Sequence, residues 1–107
     1  MNDLKKYITD IEVVNDSYDQ NGSTINTSVF VIRFKDEAGN KCIFNEWIKK
    51  DGDGFKLDDE DPAYIANGIY DQISDSIKHG MNEQQFNDAC NELFKEWVVS
   101  HKHEIML

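Results

Sequence analysis

The stretch TSVFVIRF, residues 27–34, decides the fold of this 107-residue chain. Phe30, Ile32 and Phe34 fall on one side of an extended chain, and the residues between them fall on the other side. Valine, isoleucine and phenylalanine also favour strands over helices. We therefore predict a strand with one strongly apolar face, which a second layer of the protein must cover.

Turn signals lie on both sides of this strand. Asn21-Gly22 is a strong hairpin signal, and DEAGN (residues 36–40) and DGDG (residues 51–54) follow further along the chain. Alternating apolar residues occupy the segments between these turns. Short connections imply antiparallel neighbours. The sequence thus predicts a three- or four-stranded antiparallel meander, with strands at residues 9–19, 27–34, 41–48 and 55–57.

The hydrophobic period changes from two to four after residue 60. Asp61 is a suitable N-cap, and Pro62 fits the first helical position. We predict a helix that ends at His79-Gly80, where Gly80 can adopt the left-handed cap and His79 places a cation near the C-terminus. Its apolar stripe consists of Ile65, Ile69, Ile73 and Ile77.

A second predicted helix begins at Asn82. Asn82 and Gln85 stand at the N-cap and N3 positions of a capping box, and Met81 and Phe86 match a hydrophobic staple. We expect the helix to continue to about residues 101–104. Its predicted buried face consists of Phe86, Cys90, Leu93, Phe94, Trp97 and Val98.

The expected fold class is α+β: an antiparallel three- or four-stranded meander followed by two helices packed on one sheet face. Residues 1–107 form a single domain, because no linker or repeat divides them. Cys42 and Cys90 are expected to be reduced core residues. Val31 and Trp47 are expected on the sheet face without helices, where Trp47 could anchor a partner.

The stretch KKDGDGFKLDDE, residues 49–60, resembles a calcium loop but fails the test. An EF-hand loop needs a carboxylate at its first position, and this chain has Lys49 there. The preceding segment also has a strand pattern instead of a helical one. We therefore interpret DGDG as a hairpin turn and predict no metal site. His101, His103 and Glu104 are too few and too near the C-terminus to indicate one.

Acidic charge is the outstanding property of the composition. The chain has 21 acidic and 11 basic side chains, which gives a net charge of −10. Such a charge repels nucleic acid and anionic membranes and favours a basic partner. Residues 51–75 carry one lysine, Lys56, against eight acids: Asp51, Asp53, Asp58, Asp59, Glu60, Asp61, Asp71 and Asp75.

Helical spacing arranges some of these acids in rows. Asp71 and Asp75 lie four residues apart, as do Asp88, Glu92 and Glu96. Side chains at this spacing are about 6 Å apart, comparable to phosphates along a nucleic-acid strand. The rows are either ordinary solvated faces or a partner-binding surface. Exposed rows do not offer the cleft that acid–base catalysis needs, and no nucleophile has a suitable base beside it, so we expect no enzyme activity and no cofactor.

Several short motifs resemble small acidic phage anti-CRISPR proteins that inhibit type II-A RNA-guided DNA nucleases. They are the NDL start, the strand VFVIRF, the turn DEAGN, the helix end IKHG and the helix start MNEQQFND. The similarity spans about residues 2–94. It implies a protein of the bacterial host cytoplasm that mimics DNA and binds the basic groove of a CRISPR effector nuclease, with no direct contact to nucleic acid or membrane.

The resemblance also implies contact residues. These are Asp36, Glu37, Gly39 and Asn40 in the turn, and Asn82, Glu83, Gln84 and Asp88 near the last helix start. This chain has neutral Gln84-Gln85 where the family pattern is densely acidic, and its own acidic cluster is Asp58, Asp59, Glu60 and Asp61, to which we add Asp71 and Asp75. Three other functions stay open: an immunity protein for a toxin nuclease, a metal-binding module, and an acidic adaptor.

Overall fold

A four-stranded antiparallel sheet is the centre of the molecule in the computed structural model, which describes residues 4–58 and 74–107. A 3-10 turn, Leu4–Tyr7, precedes the sheet. The strands lie side by side in chain order, which confirms the predicted meander. They are β1 (Ile8–Gln20), β2 (Ser23–Lys35), β3 (Lys41–Asp51) and β4 (Gly54–Leu57).

The first hairpin is much longer than the rest of the sheet. β1 and β2 pair along almost their whole length, around a turn in which Asn21 (φ 51°) and Gly22 (φ 83°) are both left-handed. β3 pairs with β2 only from Val29 onward, opposite Trp47. Residues 15–28 therefore form a two-stranded ribbon that does not pair with β3, which we name the distal hairpin.

In residues 74–107 two helices are present, α1 (Asp75–Lys78) and α2 (Glu83–His101), and a 3-10 turn (Lys102–Glu104) follows α2. The predicted start of α2 is confirmed. The Asn82 side chain accepts a hydrogen bond from the Gln85 amide at 2.8 Å, and the Gln85 side chain accepts one from the Asn82 amide at 2.9 Å. This capping box fixes where the helix begins.

The predicted first helix is wrong in its bounds. Ser74 is extended (φ −65°, ψ 153°), so the helix that ends at Lys78 begins only at Asp75. Ser74 stands at the N-cap position and its carbonyl accepts the amides of Ile77 and Lys78 at 3.0 Å, but its side chain makes no capping hydrogen bond. The regular isoleucine spacing concealed this boundary. The predicted start at Asp61-Pro62 and the stripe residues Ile65, Ile69 and Ile73 lie outside the described residues.

The end of α1 also differs from expectation. His79, not Gly80, is the first left-handed residue (φ 49°, ψ 43°), and its amide donates to the Asp75 carbonyl at 3.0 Å. Gly80 follows with φ 78°. Ile77, the last residue of the predicted stripe, is buried.

The core lies between α2 and one face of the sheet. Phe30 and Phe94 meet with ring centroids 4.9 Å apart, and Phe34 and Phe86 meet at 5.9 Å. Five of the six residues predicted for the buried face of α2 are buried, and Val98 packs at the margin of the core. Both cysteines are free and buried, as predicted.

The sheet face away from α2 is only partly exposed. Strand register places Val31 and Trp47 on this face, as predicted, because both alternate with core residues such as Phe30 and Phe44. Trp47 is 45% exposed, whereas Val31 is only 6% exposed. Trp47 is therefore available to a partner, but Val31 is not.

Candidate partner-binding surfaces

The turn between β2 and β3 contains four predicted contact residues, and one of them is used inside the turn. Asp36 is 7% exposed. One carboxylate oxygen accepts the Asn40 backbone amide at 2.8 Å, and the other accepts the Asn40 side-chain amide at 2.9 Å. Asp36 therefore shapes the turn together with Asn40, which is exposed but has its side-chain amide bonded to Asp36. Glu37 and Gly39 are exposed to a partner.

The same contacts keep the Asp36 carboxyl ionised. The side chain of Asn40 and then that of Ser74 hold the pKa of Asp36 below its ordinary value of 3.8, because both favour the charged form.

Two lysines balance the charge of this turn. Lys35 and Lys41 are directly paired across β2 and β3, at the base of the turn. Asp36 and Glu37 thus lie beside an equal number of ammonium groups. The turn by itself is not a negative surface.

The start of α2 carries the second predicted group, and all four residues are exposed. Asn82 is occupied by the capping box described above. The Gln84 side chain donates a hydrogen bond to the Asp88 carboxylate at 2.8 Å, which orients that carboxylate along the helix surface. Glu83, Gln84 and Asp88 therefore point outward from a fixed helix start.

The two predicted groups lie at the same end of the sheet. Phe86 in the first turns of α2 packs against Phe34 and Phe44, with ring centroids 5.9 and 6.4 Å away. Phe34 lies only two positions before Asp36 in the sequence. Residues 36–40 and the start of α2 are thus neighbouring features, although 42 positions separate Asn40 from Asn82 in the sequence.

A polar cleft of about 570 Å³ separates α2 from β4, and we name it the α2–β4 cleft. Three carboxylates line it, those of Asp51, Asp88 and Glu92. Lys56, Leu57, Asn91 and Lys95 complete the lining. Sequence analysis found Asp51 and Asp88 separately, but only the packing of α2 on the sheet brings them to one cleft.

The predicted row of acids on α2 divides between two sides. Asp88 and Glu92 face the α2–β4 cleft, and Glu92 pairs with Lys95 at 3.2 Å. Glu96 instead pairs with Lys5 at 2.9 Å, on the side of the N-terminal turn. The cause is the helical rotation of about 40° between positions four residues apart.

The remaining predicted acids are dispersed. Asp58 forms an ion pair with Lys49 at 3.2 Å, and its amide donates to the Trp47 carbonyl at 2.8 Å. Asp75 is exposed in the first turn of α1. Asp59, Glu60, Asp61 and Asp71 lie outside the described residues.

An ion-pair network that the sequence did not reveal crosses the exposed sheet face. The Arg33 guanidinium contacts the Asp10 carboxylate at 2.9 Å and the Glu12 carboxylate at 2.7 Å. The two carboxylates on β1 therefore share one guanidinium group as their ion-pair partner. All 11 basic residues lie in the described part of the chain, whereas five of the 21 acids do not.

The DGDG segment joins β3 to β4 as a hairpin turn, as predicted. Asp51 pairs with Gly54, and Gly52 between them has a positive φ of 59°. Across residues 4–58 and 74–107, no group of three or more histidine, cysteine or acidic side chains is placed to hold a metal ion.

Comparisons of the chain with protein-family models, with curated proteins and with solved structures gave no match. Within the described residues, no helix has both the length and the apolar character that a membrane span requires.

Proposed function

We propose that this protein is a non-enzymatic inhibitor whose exposed carboxylates occupy the basic nucleic-acid-binding site of a nuclease. The observation that carries the proposal is the outer surface of α2. Glu83, Asp88 and Glu92 are exposed there, and Lys95 is the one lysine or arginine in the helix. A mimic of a phosphate strand needs carboxylates at repeated short spacings, which helix rows provide.

Rigidity supports the same reading. The capping box fixes the start of α2, and Phe86, Phe94 and Trp97 anchor its inner face in the core. Carboxylates on a fixed scaffold lose little conformational entropy when they bind. The Gln84–Asp88 hydrogen bond restricts one of them further.

The α2–β4 cleft extends the acidic surface from α2 to the neighbouring edge of the sheet. Asp51 adds a carboxylate from the β3–β4 turn to those of Asp88 and Glu92. In the sequence, Asp58, Asp59, Glu60 and Asp61 follow β4 directly. We infer that the start of α2 and the α2–β4 cleft form the principal contact surface, and that the turn residues Glu37, Gly39 and Asn40 are secondary.

The proposed target is a type II-A CRISPR effector nuclease in the cytoplasm of a bacterial host. The target rests on the resemblance of DEAGN and MNEQQFND to anti-CRISPR proteins. Such nucleases read a short DNA duplex through arginines in the major groove. Carboxylates are the natural partners of those guanidinium groups, because they form charge-assisted and bidentate hydrogen bonds.

A charge-reversal experiment tests the proposal. The affinity of the protein for a purified, guide-loaded type II-A nuclease is measured by fluorescence anisotropy, with and without a competing DNA duplex. We expect competition with the duplex and an affinity that falls with rising salt. Glu83→Lys with Asp88→Lys should weaken binding at least about tenfold.

Asp16→Lys with Asp19→Lys is the matched control. It changes the net charge by the same amount, but on the distal hairpin. We expect it to alter affinity less than about threefold, through long-range attraction alone. Equal losses for the two double variants would reject α2 as the contact surface. Binding to a basic toxin nuclease and not to the CRISPR nuclease would reject the target.

A further inference from the structure

Within residues 4–58 and 74–107, the edge of β2 along residues 23–28 is not paired with a strand, although Ile48, Lys49 and Lys50 of β3 lie across a cleft from it. Residues 23–28 pair with β1 on one side, whereas β3 pairs with β2 only from Val29 onward. Among the described residues, no other backbone group hydrogen-bonds to the backbone of this edge, although the Met106 amide donates to the Ser28 hydroxyl at 3.3 Å. Unpaired edges are places where another strand can add, so proteins normally protect them.

This edge lacks the usual protection. The sequence of residues 23–28 is STINTS, which contains no charged residue, proline or glycine. By contrast, β1 carries four acids and a register irregularity near Asp10, and β4 carries Lys56. Charges and bulges are what discourage strand addition at those two edges.

The unprotected segment is also held in place. The Ser28 hydroxyl donates to the Asn15 side-chain oxygen, and the Met106 amide donates to both side chains, at 3.2 and 3.3 Å. Asn15 in turn donates to the Glu104 carbonyl at 2.8 Å. The C-terminal residues thus brace the base of the distal hairpin.

A cleft of about 520 Å³ lies beside this edge. Thr24, Ile25 and Asn26 form one wall. The other residues that line it are Ile48, Lys49, Lys50 and Leu107. Its charged lining residues are therefore lysines, although the whole chain is strongly acidic.

We propose that a second copy of this chain binds here, by antiparallel pairing of residues 23–28 with the same residues of the second copy. A two-fold axis beside Ile25 or Asn26 sets only uncharged residues opposite one another. The distal hairpin carries Asp16 and Asp19 and no basic residue. The entering hairpin therefore brings carboxylates towards Lys50, and each copy does so for the other, whereas Lys49 already pairs with Asp58 at 3.2 Å.

This proposal is independent of the nuclease target, and its test is the oligomeric state. Six residues per strand make a small interface, so sedimentation equilibrium should extend to about 1 mM protein. We expect a reversible monomer–dimer equilibrium. Asn26→Lys should weaken dimerisation about tenfold, because it places two ammonium groups close together on the paired strands.

Ser17→Lys is the matched control for that variant. Ser17 is the residue directly opposite Asn26 in the β1–β2 pair, so the two side chains lie on the same face of the sheet, but Ser17 belongs to β1. Both positions are exposed. Ser17→Lys should leave the dissociation constant within about threefold of the parent protein, and equal effects of the two variants would overturn the proposed edge.

A charge exchange tests the arrangement further. Asp19→Lys and Lys50→Glu should each weaken dimerisation severalfold, and the double variant should restore it. Asp19→Lys reduces the net negative charge, so simple repulsion between copies would make that variant dimerise more tightly. A stronger dimer, a double variant without restoration, or a parent protein monomeric at every concentration would each overturn the proposal.

Circular dichroism of every variant shows whether it remains folded. If Asn26→Lys unfolds, the charge exchange still decides the question, because the side chains of Asp19 and Lys50 are both exposed.

Discussion

Phe30 and Phe94 meet edge to face, with ring centroids 4.9 Å apart and planes 71° from parallel. Both rings are almost completely buried. Phe30 lies in the middle of β2, and Phe94 lies in the middle of α2, so this contact joins the centres of the two layers. The Trp97 ring lies 5.4 Å from Phe30 and extends the contact along the helix.

Removal of the Phe94 ring should therefore destabilise the whole protein. We expect Phe94→Ala to lower the free energy of unfolding by about 3–5 kcal/mol, through lost burial and a residual cavity. Urea denaturation measures this. Val99→Ala is the control on the same helix, because Val99 is 79% exposed and should contribute little. A loss below about 1 kcal/mol for Phe94→Ala would show that the layers are joined elsewhere.

Alanine substitutions at two glycines distinguish the cost of a left-handed backbone from the cost of steric crowding. Gly22 has φ 83° and open space around an added methyl group, so Gly22→Ala should cost about 1–2 kcal/mol through conformation alone. Gly54 has no positive φ, and a methyl group there would make ordinary contact at 3.7 Å with the Asp51 carbonyl. Gly54→Ala should therefore be close to neutral. Thermal denaturation of the two variants compares them, and similar losses would contradict the left-handed turn.

Acid should weaken the turn that Asp36 shapes. The pKa of Asp36 is lower in the folded protein than its ordinary value of 3.8, because Asn40 and Ser74 favour the carboxylate. The resulting stability is fully present above the ordinary value and is lost as the pH falls through the lower folded-state value. We expect Asp36→Asn to be less stable than the parent protein at pH 7, and the difference to narrow below about pH 4. Urea denaturation from pH 2 to 7 measures it. A constant difference across that range would contradict the assignment.

The two thiols should be unreactive while the protein is folded. Burial, with a smaller contribution from the Asp36 charge, raises the pKa of Cys42 to about 11, and burial raises the pKa of Cys90 well above its ordinary value. At pH 8 only about one Cys42 in a thousand is then a thiolate, the form that reacts. A chromogenic disulfide reagent should detect no rapid reaction in buffer and two thiols in concentrated guanidinium chloride. Rapid reaction of the native protein would contradict the buried positions.

Local sequence signals predicted most of the fold. The alternation in residues 27–34, the Asn21-Gly22 turn and the capping box of Asn82 and Gln85 each specify a structure within a few residues. The length of the first helix was wrong because Ser74, a residue type common at helix N-caps, has an extended backbone inside a regular isoleucine spacing. The neighbouring residues do not show whether the serine or the isoleucine spacing determines the start of the helix, because the outcome depends on tertiary packing.

The candidate site was predicted less completely. The sequence, through its resemblance to anti-CRISPR proteins, indicated Asp36 as a contact residue, but the Asp36 carboxylate is bonded to Asn40. It placed Asp88, Glu92 and Glu96 in one row, but the row divides between the α2–β4 cleft and Lys5. It did not anticipate that Asp51 and Asp88 share a cleft, because their proximity depends on where α2 crosses the sheet.

The sequence by itself determined the strands, their turns, the start of α2 and the acidic character of the chain. These features follow from backbone preferences, side-chain periodicity and charge, all of which act over short separations. Only the tertiary structure decided which carboxylates are enclosed, which ones meet, and that residues 23–28 of β2 do not pair with β3. Those properties depend on contacts between distant segments, which form only when the helical layer and the sheet pack together.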